Sequence, residues 1–529
     1  MPVATIGEFL AGILPRLRTD TKFPWWPPDL FALCLALLKQ TGAYTQLLQD
    51  WPPDRGRDEA LAGWALSARK LGADWRTALQ NRPFSELIVT GLSDEWQLLC
   101  GSFTQQLWRV GRNPPLLQAL MKLVAAADEA SKGVGAPEDA EDDDFFLQSA
   151  RAFLWNDATL GLEIDRARVR VLPRMHTPQN GLTERSLSLH LSMCDAGEVT
   201  PRWLSTPFLQ HDSINLLLIP WPHEVLVSQF RDITDSATTI LPDGFGFFTY
   251  ASLASEDLIG LVESSHAEAK RTLGRIDGVV LPELSITDGQ FHALRDRLPP
   301  ECFLVAGTGR AEVDGRRGTN EVRLSFPPLQ EVVQKKHHPW KLNEAQVIQY
   351  GLGGILSPSR EWWEYADLAD RRLDFVAMSE DLVICALVCE DLARPDPVAN
   401  IVRAVGPNLV IALLMDGPQT KERWAARYAT VLADDPGCSV LSLTSLGMAQ
   451  LSRPQSGPGR PRVVALWKDA FGGATEIELP GGCNAVALSL SIRYQEEFTA
   501  DGRGDDNSAA FLILSGVHPI SDPRFFKRS

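Results

Sequence analysis

The chain has 529 residues, 44% of them hydrophobic and 22% charged, the balance of a globular protein of two to three domains. A net charge of -16 and a pI near 5.1 exclude a general duplex-binding surface, which needs clustered Lys and Arg. Eight cysteines scattered through mostly apolar contexts exclude a disulfide framework and a zinc spacing; Cys385 and Cys389 lie four apart with no second Cys or His pair.

The first segment, MPVATIGEFLAGILPRLR, is too short and interrupted for a signal peptide or membrane anchor, and FALCLALLK is far below spanning length. The expectation is a soluble cytoplasmic protein with no membrane partner. Residues 1–130 read as a helical N-terminal domain. PPDLFALCLALLKQTG has Pro near a helix start, Leu at helical spacing and Gly42 as a stop. DEALAGWALSARKLG and PPLLQALMKLVAAADEASKG repeat that grammar, and seven tryptophans here are expected to pack helix on helix.

Residues 131–145 combine Gly, Pro and an acidic run, the composition of a linker. Residues 146–211 read as a β-hairpin-containing connector: ARVRVLP and RSLSLHLSMC alternate apolar and polar, and TPRWLSTP leads onward. From 212 to 495 the pattern is α/β. Apolar runs such as SINLLLIPW, DGVVLPE, ECFLVAGTG, NEVRLSF, VVQKKH, FVAMSEDLVICALVCED, NLVIALLMDG and CSVLSLTS alternate with helical stretches, and three late strands follow. Residues 496–529 are expected to be a tail.

Three strand ends carry chemistry. Glu283 closes VVLPE, where a carboxylate after an apolar run and a proline is costly unless paired or functional. Partial burial raises a carboxyl pKa and makes it a competent base toward a thiol. Lys336 lies in QKKHHPW; strand alternation sends Lys335 and Lys336 to opposite sides, so one of them enters a pocket. A lysine in a dry site stabilises an oxyanion, although KKHH runs are more often solvated edges. Cys389 follows LVICALV at a strand-to-helix turn, where a nucleophile is presented and the Glu390 amide faces a developing oxyanion. Base, cation and nucleophile at one sheet edge would serve acyl transfer at a carbonyl or nitrile carbon.

The order Glu, Lys, Cys, with these flanks, resembles the nitrilase or carbon–nitrogen hydrolase superfamily over about residues 212–495. ECFLVAGTG and GTNEVRLSF resemble its third strand and the asparagine-bearing strand after it, with Asn320 at the asparagine. KHHPWKLNE resembles the lysine segment of the aliphatic-amidase branch, which selects Lys336 over Lys335 and puts Glu344 at the auxiliary glutamate. VCED resembles the cysteine elbow of amide-hydrolysing branches, since strict nitrile hydrolases carry Trp where this chain has Glu390.

The resemblance implies an αββα sandwich, homo-oligomers, hydrolysis of a small amide or nitrile-type substrate and no metal or organic cofactor. It implies that Glu283 serves Cys389 as base, that Lys336 and the Glu390 amide hold the oxyanion, and that Glu344 positions substrate and Lys336. Departures lie at Met415, Asp416 and Gly417, at Thr444, and in a long insertion after SINLLLIPW. The segment RVRVLPRMHTPQNGLTERSLSLHLSM is similar to nitrilase-like regions linked to bacterial defence reverse transcriptases, though the chain shows no paired polymerase aspartates on a hairpin. Two functions follow: a carbon–nitrogen hydrolase, or a nitrilase-fold scaffold or sensor in an antiviral assembly whose residues 1–130 dock a protein partner.

Overall fold

The computed structural model describes residues 4–46, 57–81, 91–137, 144–178, 180–206, 211–252, 257–311, 316–327, 329, 331–452, 461–506 and 509–522. The acidic run at 138–143 of the expected linker, and the last seven residues of the expected tail, lie outside them.

The N-terminal grammar folds as helices α1 (Ile6–Ile13), α2 (Pro27–Thr41), α3 (Arg57–Asn81), α4 (Ser93–Gly101) and α5 (Pro114–Ala130). Thr5 and Glu8 form a reciprocal cap on α1, and α2 runs from Pro27 at its first turn to a left-handed Gly42. Trp26, Trp75 and Trp96 are buried, and each indole N–H donates to a backbone carbonyl, of Leu160, Trp25 and Thr21 respectively. That satisfies the polar edge of a large apolar ring. Trp108 departs from the pattern at 50% exposure.

Helix α6 (Phe145–Asp157) is capped by Asp144, and β1 (Val169–Pro173) pairs antiparallel with β2 (Leu191–Asp195). RSLSLHLSMC is only partly a strand, because its first half turns through a 3-10 segment, Glu184–Leu187. TPRWLSTP is more than a connector. Its β3 (Thr200–Ser205) lies parallel to a sandwich strand and closes one sheet.

The α/β region continues with β4 (Ser213–Leu218), β5 (Phe230–Asp232), β6 (Phe245–Tyr250), α7 (Asp257–Leu273), β7 (Gly278–Ile286), α8 (Asp288–Arg297), β8 (Phe303–Arg310), β9 (Thr319–Ser325) and β10 (Val332–Lys335). Next come β11 (Lys341–Leu342), α9 (Glu344–Gln349), β12 (Glu361–Glu364), β13 (Arg372–Ser379), β14 (Leu382–Val388), α10 (Asn400–Val405) and β15 (Leu409–Leu414). Last are α11 (Trp424–Asp434), β16 (Ser439–Thr444), α12 (Leu446–Leu451), β17 (Val463–Lys468), β18 (Thr475–Glu478), β19 (Ala485–Gln495) and β20 (Ala509–Ile520).

Two seven-stranded sheets form the body, ordered β10-β9-β8-β7-β4-β19-β20 and β18-β17-β16-β15-β14-β13-β3. They face each other through β7 against β15 and β16, and through β9 against β14. Helices α7 and α8 pack on the outside of the first sheet through Leu258, Leu261, Phe291 and Leu294, while α11 lies along β16 and β17 of the second. The central strands β7, β14, β15 and β16 are buried throughout, which is why they read as unbroken apolar runs. The expected tail is mostly β20, an edge strand antiparallel to β19.

A small third sheet, β11-β12-β6-β5, is built from the long insertion and the segment after β10. The N-terminal helices grip the loop between β19 and β20. Arg503, 0% exposed, bonds Asp128 at 2.9 Å, Glu129 at 2.9 Å and Asp501 at 3.0 Å. The Trp64 indole also donates to Asp501. Among the described residues no helix is long and apolar enough to cross a membrane.

Candidate active site

Strand β7 breaks its ladder where its carboxylate is needed. Pro282 has no N–H to give, Leu284 adopts a left-handed φ of 49°, and the pairing with β8 slips between Leu281 and Ile286. Gly307 on β8 makes room for this bulge; a Cβ there would stand 2.3 Å from the Pro282 carbonyl and 2.4 Å from the Glu283 Cα. The bulge leaves Glu283 3% exposed.

Glu283 meets three donors. Its Oε1 accepts from Lys336 Nζ at 2.8 Å and from Asn320 Nδ2 at 2.8 Å, and its Oε2 accepts from the Met415 amide at 2.6 Å. Burial nevertheless pushes its carboxyl up from the usual range, Glu364 adds to the rise, and Lys336 opposes it.

Lys336 follows β10, its amide bonded to the Asn320 carbonyl at 2.9 Å, and is 0% exposed. Its Nζ donates to Glu283 and, at 2.7 Å, to Glu364 Oε2. Burial alone would depress the ammonium, but the two carboxylates hold it well above its ordinary value. Lys335 points the other way, to Asp367 at 2.7 Å on the partly exposed side.

Cys389 follows β14 with a left-handed φ of 47° and opens a 3-10 turn, Cys389–Leu392. This is a sharp strand-to-turn elbow. The Glu390 amide is in the first turn, where backbone N–H groups lack an acceptor within the helix. The Glu390 side chain points away to Arg394 at 2.8 Å. The thiol is 2% exposed. Burial and then Glu283 push its pKa well up, and Lys336 pulls against them.

Glu344 is not at this site. It sits in the exposed first turn of α9, and the second carboxylate against Lys336, beside Glu283, is Glu364, at the end of β12. Glu364 also accepts from Asn320 Nδ2 at 2.6 Å and from the Trp340 amide at 2.9 Å. The misassignment arose because four residues after Trp340 the chain has already turned into α9, whereas Glu364 returns on a strand that pairs with the insertion's β6. Alternation along EWWE held a signal for it: Glu364 shares a face with Trp362, which is 1% exposed.

The KHH segment is not a solvated edge. His337 and His338 donate their amides to Asp391 at 3.0 Å each, and His338 Nδ1 stands 2.9 Å from the same carboxylate. Burial would raise Asp391, but the bonds from His337 and His338 bring it down to about 2. Two residues past Cys389, Asp391 therefore ties the cysteine turn to the lysine segment. Leu284, Trp340, Tyr350 and Met415 belong to one apolar cluster with Phe248 and Trp362 of the small sheet, which keeps the polar group dry.

No family model and no curated protein matches this chain. Solved structures do. An amidase of the nitrilase superfamily from Nesterenkonia AN1 is similar with a TM-score of 0.33 and 12% identity, over 53% of this chain and 91% of its own. Nit3 of Saccharomyces cerevisiae, a member of branch 10 of that superfamily, is similar with a TM-score of 0.31 and 13% identity, over 52% and 89%. A CN-hydrolase superfamily protein from Xanthomonas campestris gives 0.31 and 14%, over 53% and 91%.

Proposed function

We propose that this protein is a carbon–nitrogen hydrolase of the amidase kind, with Cys389 as nucleophile, Glu283 as base and Lys336 with the Glu390 amide as oxyanion donors. The observation that carries the reading is the buried ammonium of Lys336 clamped between Glu283 and Glu364 beside a thiol on a left-handed turn. A buried cation between two carboxylates is a poor way to stabilise a fold. It is a good way to keep one carboxylate ionised in a dry site and ready to take a proton.

Glu283 accepts the Cys389 proton as Sγ bonds the amide carbon, and the carbonyl π electrons move to the oxygen. The negative oxygen meets Lys336 and the Glu390 N–H. When the carbonyl re-forms, the C–N bond breaks and Glu283 returns its proton to the departing nitrogen, which leaves as ammonia or an amine. Water then attacks the thioester, giving one proton to Glu283. The C–S bond breaks, the thiolate recovers that proton, and the carboxylic acid departs. Glu364 holds Lys336 and Asn320 throughout; the hold on Lys336 is part of the task expected of Glu344.

The test is ammonia release from a panel of small aliphatic and aromatic primary amides, with Cys389→Ala alongside. Turnover lost in the variant supports the reading, and turnover retained there overturns it. A scaffold role is favoured by one observation, the grip of the N-terminal helices on the β19–β20 loop through Arg503. It would show as a biological effect that survives Cys389→Ala and fails on removal of residues 1–130.

A further inference from the structure

Asp416 is a buried carboxylate to which the steps above give no task. It lies two residues past the end of β15 and is 6% exposed. Side chains from three segments converge on it. Tyr350 Oη, just past α9, donates to Oδ1 at 2.5 Å, Arg423 Nη2 donates to Oδ1 at 2.5 Å, and Trp424 Nε1 donates to Oδ2 at 2.8 Å. Thr444 Oγ1, at the end of β16, donates to the Asp416 carbonyl at 2.6 Å and accepts from its amide at 3.4 Å.

Both carboxylate oxygens and both backbone groups are thus occupied, so Asp416 has little capacity left to bind substrate. Its neighbours explain what the fixation achieves. On one side, the Met415 amide reaches Glu283 Oε2 at 2.6 Å. On the other, Gly417 lies so close to Ser452 that a Cβ would come within 2.6 Å of its Oγ. Held between these contacts, the loop aims a backbone N–H at Glu283.

We propose that Asp416 is a positioning residue: by locking the loop after β15, it makes the Met415 amide hold one oxygen of Glu283 and so orients that carboxylate toward Cys389. The proposal rests on the reading of Glu283 as base. The charged and titratable groups around Glu283 are Lys336 from the end of β10, Glu364 from β12 and the Cys389 thiol from the turn after β14. Asp416, with Arg423 and Tyr350, stands behind Met415, and its charge also acts on the Cys389 thiol. Substituting Asp416 would therefore change the thiol directly, and the clean perturbation removes its donors while leaving its charge.

The experiment follows Cys389 alkylation by iodoacetamide against pH in the full chain, for wild type, Trp424→Phe, Tyr350→Phe/Trp424→Phe and Glu283→Gln, with urea midpoints recorded for each. The double variant is expected to slow labelling of Cys389 about tenfold at neutral pH and to move its acid limb up by about one pH unit, the worth of one charge-assisted bond. Labelling of Cys483, which is partly exposed, should not change. Trp424→Phe, the milder change, should give about a threefold part of the same shift. Profiles of both variants that superimpose on wild type, while Glu283→Gln abolishes the acid limb, overturn the role of Asp416 and leave the base standing. An unchanged profile in Glu283→Gln removes the base, and this inference with it.

Discussion

Lys336 and Lys335 are adjacent in sequence and should differ sharply when replaced by methionine. Lys336 is 0% exposed, with carboxylate oxygens at 2.8 and 2.7 Å. Removing it leaves Glu283 and Glu364 sharing a dry space with Asn320 between them, and removal of one partner from a buried pair costs about 3–5 kcal/mol. One carboxylate will take up a proton to relieve this, which lowers the cost and disables the base at the same time. Lys335 and Asp367 keep 22% and 39% of their side chains exposed, and a pair of that kind is worth about 1 kcal/mol or less. Urea denaturation of Lys336→Met, Lys335→Met and Lys336→Met/Glu364→Gln measures the difference. The double variant should recover stability relative to Lys336→Met, because it removes one of the two stranded charges. Equal costs for the two single variants, or strictly additive costs in the double, would refute the buried-clamp reasoning.

Other outcomes follow from the same geometry. Glu364→Gln should slow amide hydrolysis by about tenfold or more, while Glu344→Gln should stay within about twofold, as read from initial rates. Asp391, held down to about 2 in the folded chain against an ordinary 3.8, contributes stability above the ordinary value that is lost as pH falls toward 2. Over that window the wild type should lose about 2 kcal/mol more than Asp391→Asn in acid-titrated denaturation. Arg503→Met strands the buried Asp128 and Asp501 and should cost about 3–5 kcal/mol in urea, without changing the pH profile of Cys389 labelling. Gly307→Ala should push β8 off the β7 bulge and slow labelling at Cys389 with a loss of stability, because the obstructing atoms are backbone.

The parts of the site read from sequence were those where a polar residue broke a long apolar run. Glu283 after VVLP and Cys389 after LVICALV interrupt apolar runs buried on both faces, so the residues themselves were legible; the expectation of one sheet edge was not met, because Glu283 lies inside β7 of one large sheet and Cys389 follows β14 of the sheet facing it. Strand alternation allowed only one of Lys335 and Lys336 to face inward, and the resemblance to the aliphatic-amidase lysine segment chose Lys336. Glu364 was not found, because its position depends on β12 pairing with β6 across more than a hundred residues of chain, a contact no local period encodes. The tie of Asp391 to the two histidines was not foreseen for a related reason: a run of basic residues gives no local sign of the buried carboxylate it will meet. β3 was expected as part of a connector because its place at the end of a large sheet depends on pairing with β13 far along the chain, whereas β20 opens with an apolar run, AAFLIL, that did carry the signal of a strand within the expected tail.

The most direct test of the central claim is intact-protein mass spectrometry with peptide mapping after a brief exposure to iodoacetamide, for wild type, Cys389→Ala and Glu283→Gln. Exposure alone would direct the reagent to Cys100 and Cys483, since Cys389 is 2% exposed. The account predicts a single early adduct at Cys389 that is absent from Cys389→Ala and strongly slowed in Glu283→Gln. Labelling that follows exposure, with Cys389 unmodified or indifferent to Glu283, would contradict it.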